Sequence, residues 1–347
     1  MKFSIALNMH RTDPSQDMRE IVRNYRDLLQ IAEQGGMEVA WAAEHHCIEL
    51  TIAPNPFILL TDWAAHTSKI RLGVGVIVAP YWHPIRLAEE AAMTDLYCDG
   101  RLELGLARGA FQYEFDRMSD GLTPEIGRSY LFEVLPLLRK LWKGDVTHAG
   151  EHWQFPKATA VPKPVQDPGP PLWLAARDPS SFDYAVKHDI NIMSTPLAKP
   201  ISEVENLASK LSTALDENPG CARPRWMVSR TTGVADTYEE TEGMIDASIS
   251  FGRRFEGLFS TAGTVDNGFP SAENVQTEAV GSHTRGAVRT AMVVGTPDSV
   301  VEQLKEYAAL GLDSYCYTSN YDHDPVRTRR SLELFVERVM PHFQENS

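Results

Sequence analysis

Residues 70–79 read IRLGVGVIVA, an apolar run in which hydrophobic and polar residues do not alternate. Such a run predicts a strand that is buried on both faces, as the strands of parallel sheets are. His83 and Pro84 follow, and proline at a first helical position predicts that a helix begins there. A strand followed by a helix is the repeating unit of parallel α/β folds, so the rest of the chain is expected to repeat it.

The same pattern of a short apolar strand and a following helix recurs along the chain. Helical spacing of apolar residues is clear at 18–32, where Asp17 and Glu20 form a capping-box pattern, and at 124–142. The other predicted strands are 3–9, 39–44, 101–108, 172–176, 190–194, 225–235 and 313–319. Eight strands separated by helices predict one α/β domain over residues 1–347, a (β/α)8 TIM barrel with insertions.

Two segments interrupt the repeat and predict insertions. Residues 144–170 contain many Gly and Pro residues, which predicts an inserted loop. Residues 257–286 are rich in Gly, Ser, Thr and Asn, and loops of this length are usually functional or disordered. The second segment is therefore expected to be either a mobile lid or a disordered loop.

The composition narrows the class of partner. The chain is 43% hydrophobic with a formal net charge of −14, which disfavours binding to nucleic acid or anionic membranes. Its four cysteines show no C-x-x-C spacing, which argues against a structural zinc site or disulfide framework. No segment approaches the roughly 20 apolar residues of a membrane helix, and the N-terminal apolar run is too short for a signal peptide. A cytoplasmic enzyme without a bound metal is expected.

Glu44, His45 and His46 follow one predicted strand, at the end of the barrel where chemistry occurs. A histidine there can act as a general acid or base, or it can be a hydrogen-bonded strand-end residue. Adjacent residues of a strand point to opposite faces, so the two histidines are not expected to share a metal ion. Gly73 and Gly75 lie inside another strand, which predicts either a planar cofactor against the backbone or tight barrel packing.

Two further strand ends carry groups suited to an anion. Arg108 ends the strand 101–108, and Arg128, near the start of the next helix, could serve the same anion. Residues 176–181 read ARDPSS and open another helix, whose free backbone N–H groups suit a phosphate. Asp178, Ser180 and Ser181 could equally be plain helix caps. The chain has no G-x-G-x-x-G, P-loop or G-x-S-x-G motif, which argues against classical dinucleotide binding, ATP binding and an α/β-hydrolase.

Taken together, these segments resemble the bacterial-luciferase-like flavin-dependent monooxygenases over nearly the whole chain. The segments that carry the resemblance are AWAAEHH (40–46), IRLGVGVIVAPYWHPIRLAEE (70–90), DGRLELGLARG (99–109), ARDPSS (176–181) and VVGTPDSVVEQL (293–304). The resemblance implies a barrel that binds reduced FMN non-covalently at its C-terminal mouth. It also implies a separate flavin reductase, addition of O2 to form a C4a-peroxyflavin, and a small organic substrate. Family members are often homodimers packed through helices near the first strands.

The resemblance also assigns roles to individual residues. His45 matches the histidine beside the reactive edge of the flavin, and Glu44 matches the glutamate that accompanies it. Gly75 and Val76 match a non-proline cis peptide behind the flavin ring. The remaining cofactor-binding residues that it implies are those of the phosphate site: Arg108, Arg128, Ala176, Arg177, Asp178, Ser180 and Ser181.

Some features depart from the luciferase pattern. Ala107 stands where luciferase α subunits carry a reactive cysteine, which argues against light emission with a long-chain aldehyde. Arg177 and Asp178 replace Glu and Ser of the luciferase phosphate loop, so backbone contacts are expected there more than side-chain contacts. Residues 257–286 match the mobile loop of luciferase.

Other functions stay open at this point. A deazaflavin (F420)-dependent oxidoreductase on the same barrel would transfer hydride instead of oxygenating, and a non-catalytic flavin-binding subunit would do neither. A metal-dependent hydrolase is disfavoured because no ligand set is evident at the strand ends. The substrate is expected to be apolar because several aromatic residues fall near the predicted mouth: Trp41, Tyr81, Trp82, Phe111 and Tyr113.

Overall fold

The computed structural model describes residues 1–119, 121–256, 258, 264–271, 283–319, 321–322 and 324–343. The strands, in chain order, are β1 Lys2–Ala6, β2 Val39–Ala42, β3 Arg71–Val78, β4 Leu102–Ala107, β5 Val146–Ala149, β6 Gln154–Ala158, β7 Leu172–Ala175, β8 Asn191–Ser194, β9 Trp226–Val234, β10 Val265–Asp266, β11 Phe269–Pro270, β12 Val293–Gly295 and β13 Ser314–Thr318. The helices are α1 Met18–Gln34, α2 Pro56–Ala65, α3 Pro84–Tyr97, α4 Gln112–Met118, α5 Pro124–Lys143, α6 Pro179–Lys187, α7 Ile201–Glu217, α8 Thr241–Glu256, α9 Arg285–Ala291, α10 Pro297–Ala309 and α11 Pro325–Leu334.

Eight parallel strands close into a barrel in the order β1, β2, β3, β4, β7, β8, β9, β13, and β13 pairs with β1 again. The predicted (β/α)8 barrel is therefore confirmed. Because all eight strands run in the same direction, the residues that follow them meet at one end of the barrel. The short strand β12 extends the sheet beyond the barrel by pairing with the last residues of β9.

The prediction of an inserted loop at 144–170 was wrong in part, because β5 and β6 form an antiparallel hairpin there. The hairpin is held by helix α5. Glu133 accepts hydrogen bonds from the backbone N–H groups of His152 and Trp153, and the ring of Tyr130 stacks on His152 at 3.6 Å. The residues in each of these contacts are at least 19 positions apart in sequence, so local composition does not reveal the contacts.

Most of the insertion predicted at 257–286 lies outside the described residues. The described part contains the hairpin of β10 and β11, and the backbone carbonyl of Gly268 accepts a hydrogen bond of 2.8 Å from the backbone N–H of Glu49. This contact ties the hairpin to the loop that follows β2. No helix in the described part of the chain is long and apolar enough to cross a membrane.

Large side chains fill the barrel interior, and Gly73 makes room for one of them. Trp41 and Trp173 meet edge to face there, with ring centroids 5.4 Å apart. A Cβ atom at Gly73 would lie 2.3 Å from Trp41 Cε3, whereas at Gly75 it would lie 3.4 Å away. Two explanations were expected for these glycines, a planar cofactor against the backbone or tight barrel packing. Tight packing explains why residue 73 is glycine, but it does not explain why residue 75 is glycine.

We expect Gly73→Ala to lower the free energy of unfolding by about 1–3 kcal/mol, because an overpacked core forces neighbouring side chains to shift. Urea denaturation followed by far-UV circular dichroism measures this change. Gly75→Ala is the matched control, since its Cβ would make an ordinary contact with Trp41. An equal loss of stability in both variants would contradict the packing argument.

Candidate active site at the carboxyl end of the barrel

Glu44 lies in the loop after β2, and its buried carboxylate joins that loop to the end of β3. Oε2 accepts a hydrogen bond of 2.7 Å from the backbone N–H of Val78, and Oε1 accepts one of 2.9 Å from Trp82 Nε1. Oε1 also lies 2.7 Å from His46 Nε2. The side chain is 2% exposed, so these partners replace its hydration. Glu44 therefore orients His46 and shapes the mouth.

His45 points away from Glu44 and pairs with a second buried carboxylate, that of Glu114 in α4. His45 Nδ1 lies 3.1 Å from Glu114 Oε1, which also accepts a hydrogen bond of 2.8 Å from the backbone N–H of His46. Glu114 is 2% exposed, and the ring of Phe111 lies 5.3 Å from that of His45. A carboxylate on Nδ1 favours the tautomer whose Nε2 is a hydrogen-bond acceptor.

Glu114 is a site residue that sequence reasoning missed. It lies 69 residues from His45, on a seven-residue helix that the sequence analysis did not predict. The available signal was its position shortly after Arg108, at the carboxyl end of a barrel strand. A carboxylate in the loop after one strand can reach a histidine after another strand because all these ends meet.

The segment Gly75–Val76 packs against the ring of Trp41. The peptide bond between these two residues is cis, as the resemblance implied. Trp41 Nε1 and the hydroxyl group of Tyr81 are buried and have no hydrogen-bond partner among the described groups. Since buried donors are normally paired, these two atoms suit a bound molecule with polar edges.

Arg108 follows β4 and keeps most of its guanidinium group available. Nη1 donates a hydrogen bond of 3.0 Å to the carbonyl oxygen of Pro124, and the carboxylate of Glu125 is 3.9 Å away and largely exposed. The start of α5 approaches closely because Gly127 has no side chain: a Cβ atom there would lie 2.2 Å from the carbonyl oxygen of Arg108. This approach brings Arg128 to the same part of the mouth.

Arg128 reaches the start of α6 and forms a two-pronged ion pair with Asp178, with N–O distances of 2.9 and 3.1 Å. Arg128 also donates to the hydroxyl group of Ser180, and Asp178 accepts hydrogen bonds from Ser180 and Ser181. Although burial opposes ionisation, these hydrogen bonds hold the pKa of Asp178 far below its usual value. In this structure Arg128 is therefore paired with Asp178, which also caps α6.

The other two residues predicted for the phosphate site differ in exposure. Ala176 is buried, its N–H donates to the carbonyl of Met193, and its carbonyl accepts from the hydroxyl group of Ser194. Arg177 is exposed at the mouth. We call Arg108 after β4, Arg177 after β7 and Arg128, which is paired with Asp178, the cationic arc.

A cavity of about 320 Å³ opens on the other side of the mouth. Its walls come from the ends of β8, β9, β13, β1 and β2, together with α8 and α9. The polar side chains that line it include His45, Thr195, Ser229, Thr231 and Thr318. His45 is thus the predicted catalytic residue that faces this cavity.

The aromatic residues expected to line the pocket have other places. The described lining of the cavity includes none of Trp41, Tyr81, Trp82, Phe111 and Tyr113. Trp41 fills the barrel, Trp82 binds Glu44, and Tyr81 packs edge to face on His46 at 5.4 Å. Aromatic residues that follow barrel strands can thus pack against other site residues instead of lining the cavity, and the sequence alone does not distinguish these two positions.

The pKa of Asp178 leads to a prediction about pH. A carboxyl group whose pKa is lowered by folding stabilises the native state above its unfolded pKa of about 3.9, and this contribution falls as the pH falls. We expect Asp178→Asn, which can still cap α6, to lower the melting temperature most near pH 6. Thermal unfolding at pH 6, 4 and 2.5 should show the deficit shrinking, and a constant deficit would contradict the argument.

Comparison with known proteins agrees with this geometry. The model of the family described as "Luciferase-like monooxygenase" matches residues 1–314. The oxygenase component of the flavin-dependent trigonelline monooxygenase of Acinetobacter baylyi is 39% identical over 349 residues, covering 100% of this chain and 96% of the relative.

Solved structures share the fold at lower identity, and they include proteins with two different cofactors in their names. The oxygenating constituent of 3,6-diketocamphane monooxygenase from Pseudomonas putida, in complex with FMN, has a TM-score of 0.76 at 20% identity and 98% coverage of both chains. The coenzyme F420 dependent tetrahydromethanopterin reductase of Methanopyrus kandleri has a TM-score of 0.74 at 20% identity and 99% coverage of both chains. On the strength of the family match and the full-length relative, this chain belongs to the luciferase-like monooxygenase family and is a flavin-dependent monooxygenase.

Proposed function

We propose that this chain is the oxygenase component of a two-component monooxygenase that uses reduced FMN and O2 to oxidise a small organic substrate. The layout of the mouth, in which a cationic arc and a carboxylate-bound histidine flank Gly75–Val76, supports a planar cofactor with a phosphate group, and the full-length relative named as a flavin-dependent oxygenase component favours reduced FMN and O2. A separate flavin reductase would supply the reduced FMN, as the words "oxygenase component" in the name of the relative suggest. Trigonelline is the first substrate to test.

The described residues fit FMN. Arg108 and Arg177 would bind the phosphate group, because guanidinium groups are suited to phosphate oxygens. Arg128 is paired with Asp178 and would bind the phosphate only if that ion pair opened. The flavin ring would lie against Gly75–Val76, where the absence of a Cβ at Gly75 leaves the backbone open. The unpaired N–H of Trp41, whose ring packs against Gly75, would supply a donor for its polar edge. When bound, reduced FMN supplies the electrons that activate O2.

The protein residues contribute proton handling and shelter from water. His45 Nε2, held as an acceptor by Glu114 on Nδ1, would take up or return a proton at the reacting end of the cavity. Glu44 would keep the loop after β2 closed on β3 through its contacts with Val78 and Trp82. A site sealed in this way excludes water that would otherwise divert the reaction.

An F420-dependent hydride transfer is the alternative, because the same barrel occurs in an F420-dependent reductase. Both cofactors carry a phosphate group and a planar ring, so the layout of the mouth does not by itself separate them. A non-catalytic subunit would have no need for the His45–Glu114 pair.

Anaerobic titration with reduced FMN and with reduced F420, followed by mixing with O2, tests the proposal. We expect tight binding of reduced FMN and O2 uptake that depends on it.

Arg108→Ala should weaken FMN binding about 10- to 100-fold, since one charged hydrogen bond contributes about 1.5–3 kcal/mol. Lys305→Ala, on the exposed face of α10, is the control. Binding of F420 alone would favour hydride transfer, and binding of neither would favour a non-catalytic subunit.

We expect His45→Ala to keep the fold and the FMN affinity but to lower the rate of substrate oxidation about 100-fold or more, the usual contribution of a general acid or base. Glu114→Gln should lower the rate less, and Glu114→Asp should restore part of it, because Glu114 acts through His45. Single-turnover oxidation of the substrate measures these rates. An unchanged rate in His45→Ala would rule out the assignment.

We also infer a homodimer that packs through α2 and α3. Large apolar side chains are exposed on these two neighbouring helices, and contiguous apolar surface of this kind marks interfaces: Ile58, Met93, Leu96 and Tyr97. A twofold axis would bring the same face of a second copy against them.

We expect Leu96→Glu to shift the sedimentation coefficient from that of a dimer to that of a monomer. Val326→Glu, at an isolated exposed position on α11, should leave the sedimentation coefficient unchanged. A monomeric wild type would contradict this inference.

A further inference from the structure

The cavity at the mouth carries a patch of hydroxyl groups on two neighbouring strands. Thr231 of β9 and Thr318 of β13 are register partners, and Ser229 lies two residues before Thr231 on the same inner face. The hydroxyl oxygens of Ser229 and Thr318 are 3.0 Å apart. All three residues are partly exposed and line the cavity. We call Ser229, Thr231 and Thr318 the hydroxyl patch.

The hydroxyl patch has hydrogen atoms left for a ligand. When two hydroxyl groups bind each other, only one donates, and the hydrogen of the other is free to reach a third group. Both hydroxyl groups also contact the sulfur of Cys316, so the remaining hydrogen can be donated either to that thiol or to a molecule in the cavity, and Thr231 is a neighbouring hydroxyl. Such donors suit an oxygen acceptor of a bound molecule.

The described lining of the cavity offers no countercharge for a charged molecule. Among its described lining residues there is no Asp, Glu, Lys or Arg side chain, and the ionisable ones other than Tyr321 are the histidines His45 and His283. A molecule with net charge would lose its hydration on entering without gaining an ion pair, which costs several kcal/mol in general. The cationic arc of Arg108, Arg128 and Arg177 lies at other strand ends, where the FMN phosphate is proposed to bind.

The cavity is also small. Its volume of about 320 Å³ is at the lower end of the usual range of about 300–1,000 Å³ for small-molecule sites. This volume suits a compound with one ring and a short substituent.

We propose that the cavity binds a single-ring substrate without net charge and that the hydroxyl patch recognises an oxygen acceptor on it. Ser229, Thr231 and Thr318 are then the specificity-determining residues. This inference rests on the proposed function, because it takes the cavity as the substrate side of a site whose other side holds FMN.

Benzamide, benzoate and benzamidine test the charge requirement, because they share one shape and carry net charges of 0, −1 and +1 at pH 7. Equilibrium dialysis against the FMN-bound protein measures their affinities. We expect benzamide to bind at least 10-fold more tightly than benzoate and benzamidine. Equal affinity for a charged compound, or no binding of benzamide, overturns the proposal.

Two substitutions at one position test the hydroxyl patch. Thr318→Val keeps the shape and removes the hydroxyl group, and it should weaken benzamide binding roughly 3- to 10-fold, the usual effect of one hydrogen bond. Thr318→Ser keeps the hydroxyl group and should retain most of the affinity. Thr213→Val, on the exposed face of α7, is the matched control, and thermal unfolding verifies that each variant folds. Equal affinity in Thr318→Val and Thr318→Ser overturns the proposal.

The FMN affinity of the same variants separates this inference from the proposed function. We expect the Kd for FMN to be unchanged in Thr318→Val. A Kd for FMN that rises while benzamide binding holds would mean that the patch contacts the flavin, and it overturns the proposal. If the wild type does not bind FMN, the proposed function fails. Dialysis of benzamide against the apoprotein and its Thr318 variants still measures how much the hydroxyl patch contributes to benzamide affinity.

Discussion

The closure of the barrel between β8 and β9 is the constraint on which the rest of the structure depends. β9 pairs with β8 on one edge and with β13 on the other, so the barrel sheet closes without an unpaired strand edge between them. Closure fixes which strand ends are neighbours. It thereby sets the distance from the Arg108 region to the cavity and brings Glu114 within reach of His45.

Buried carboxylates hold the mouth in shape once the barrel has closed. Glu44 and Glu114 each bind one histidine and at least one backbone N–H group, so each loop is tied at two points. Removing such a carboxylate would leave several buried donors without a partner, which costs more than the hydrogen bonds contribute when made. The side chains of the adjacent residues His45 and His46 are thereby held by different carboxylates, and of the two only His45 is among the described lining of the cavity.

Much of the fold was predictable from the sequence because it depends on local patterns. The apolar run of β3 and the proline at the start of α3 gave the strand and helix units, and their number gave the barrel. The pairing of His45 with Glu114 was not predictable, because it joins residues far apart in sequence through a short helix. The role of Gly73 was also hidden, since it depends on the position of the Trp41 ring. Arg128 illustrates a third limit: its charge was evident, but its partner Asp178 was not.

The separation of the mouth into two arcs has a consequence for how this family diversifies. The groups suited to the flavin lie at the ends of β3, β4 and β7, whereas the cavity is lined from β8, β9, β13, β1 and β2. A mutation on β9 or β13 can therefore change which substrate the cavity accepts, while the groups suited to the flavin on β3, β4 and β7 stay unchanged. Natural variation within such a scaffold is expected to concentrate on the cavity arc, and so should the choice of positions for directed evolution.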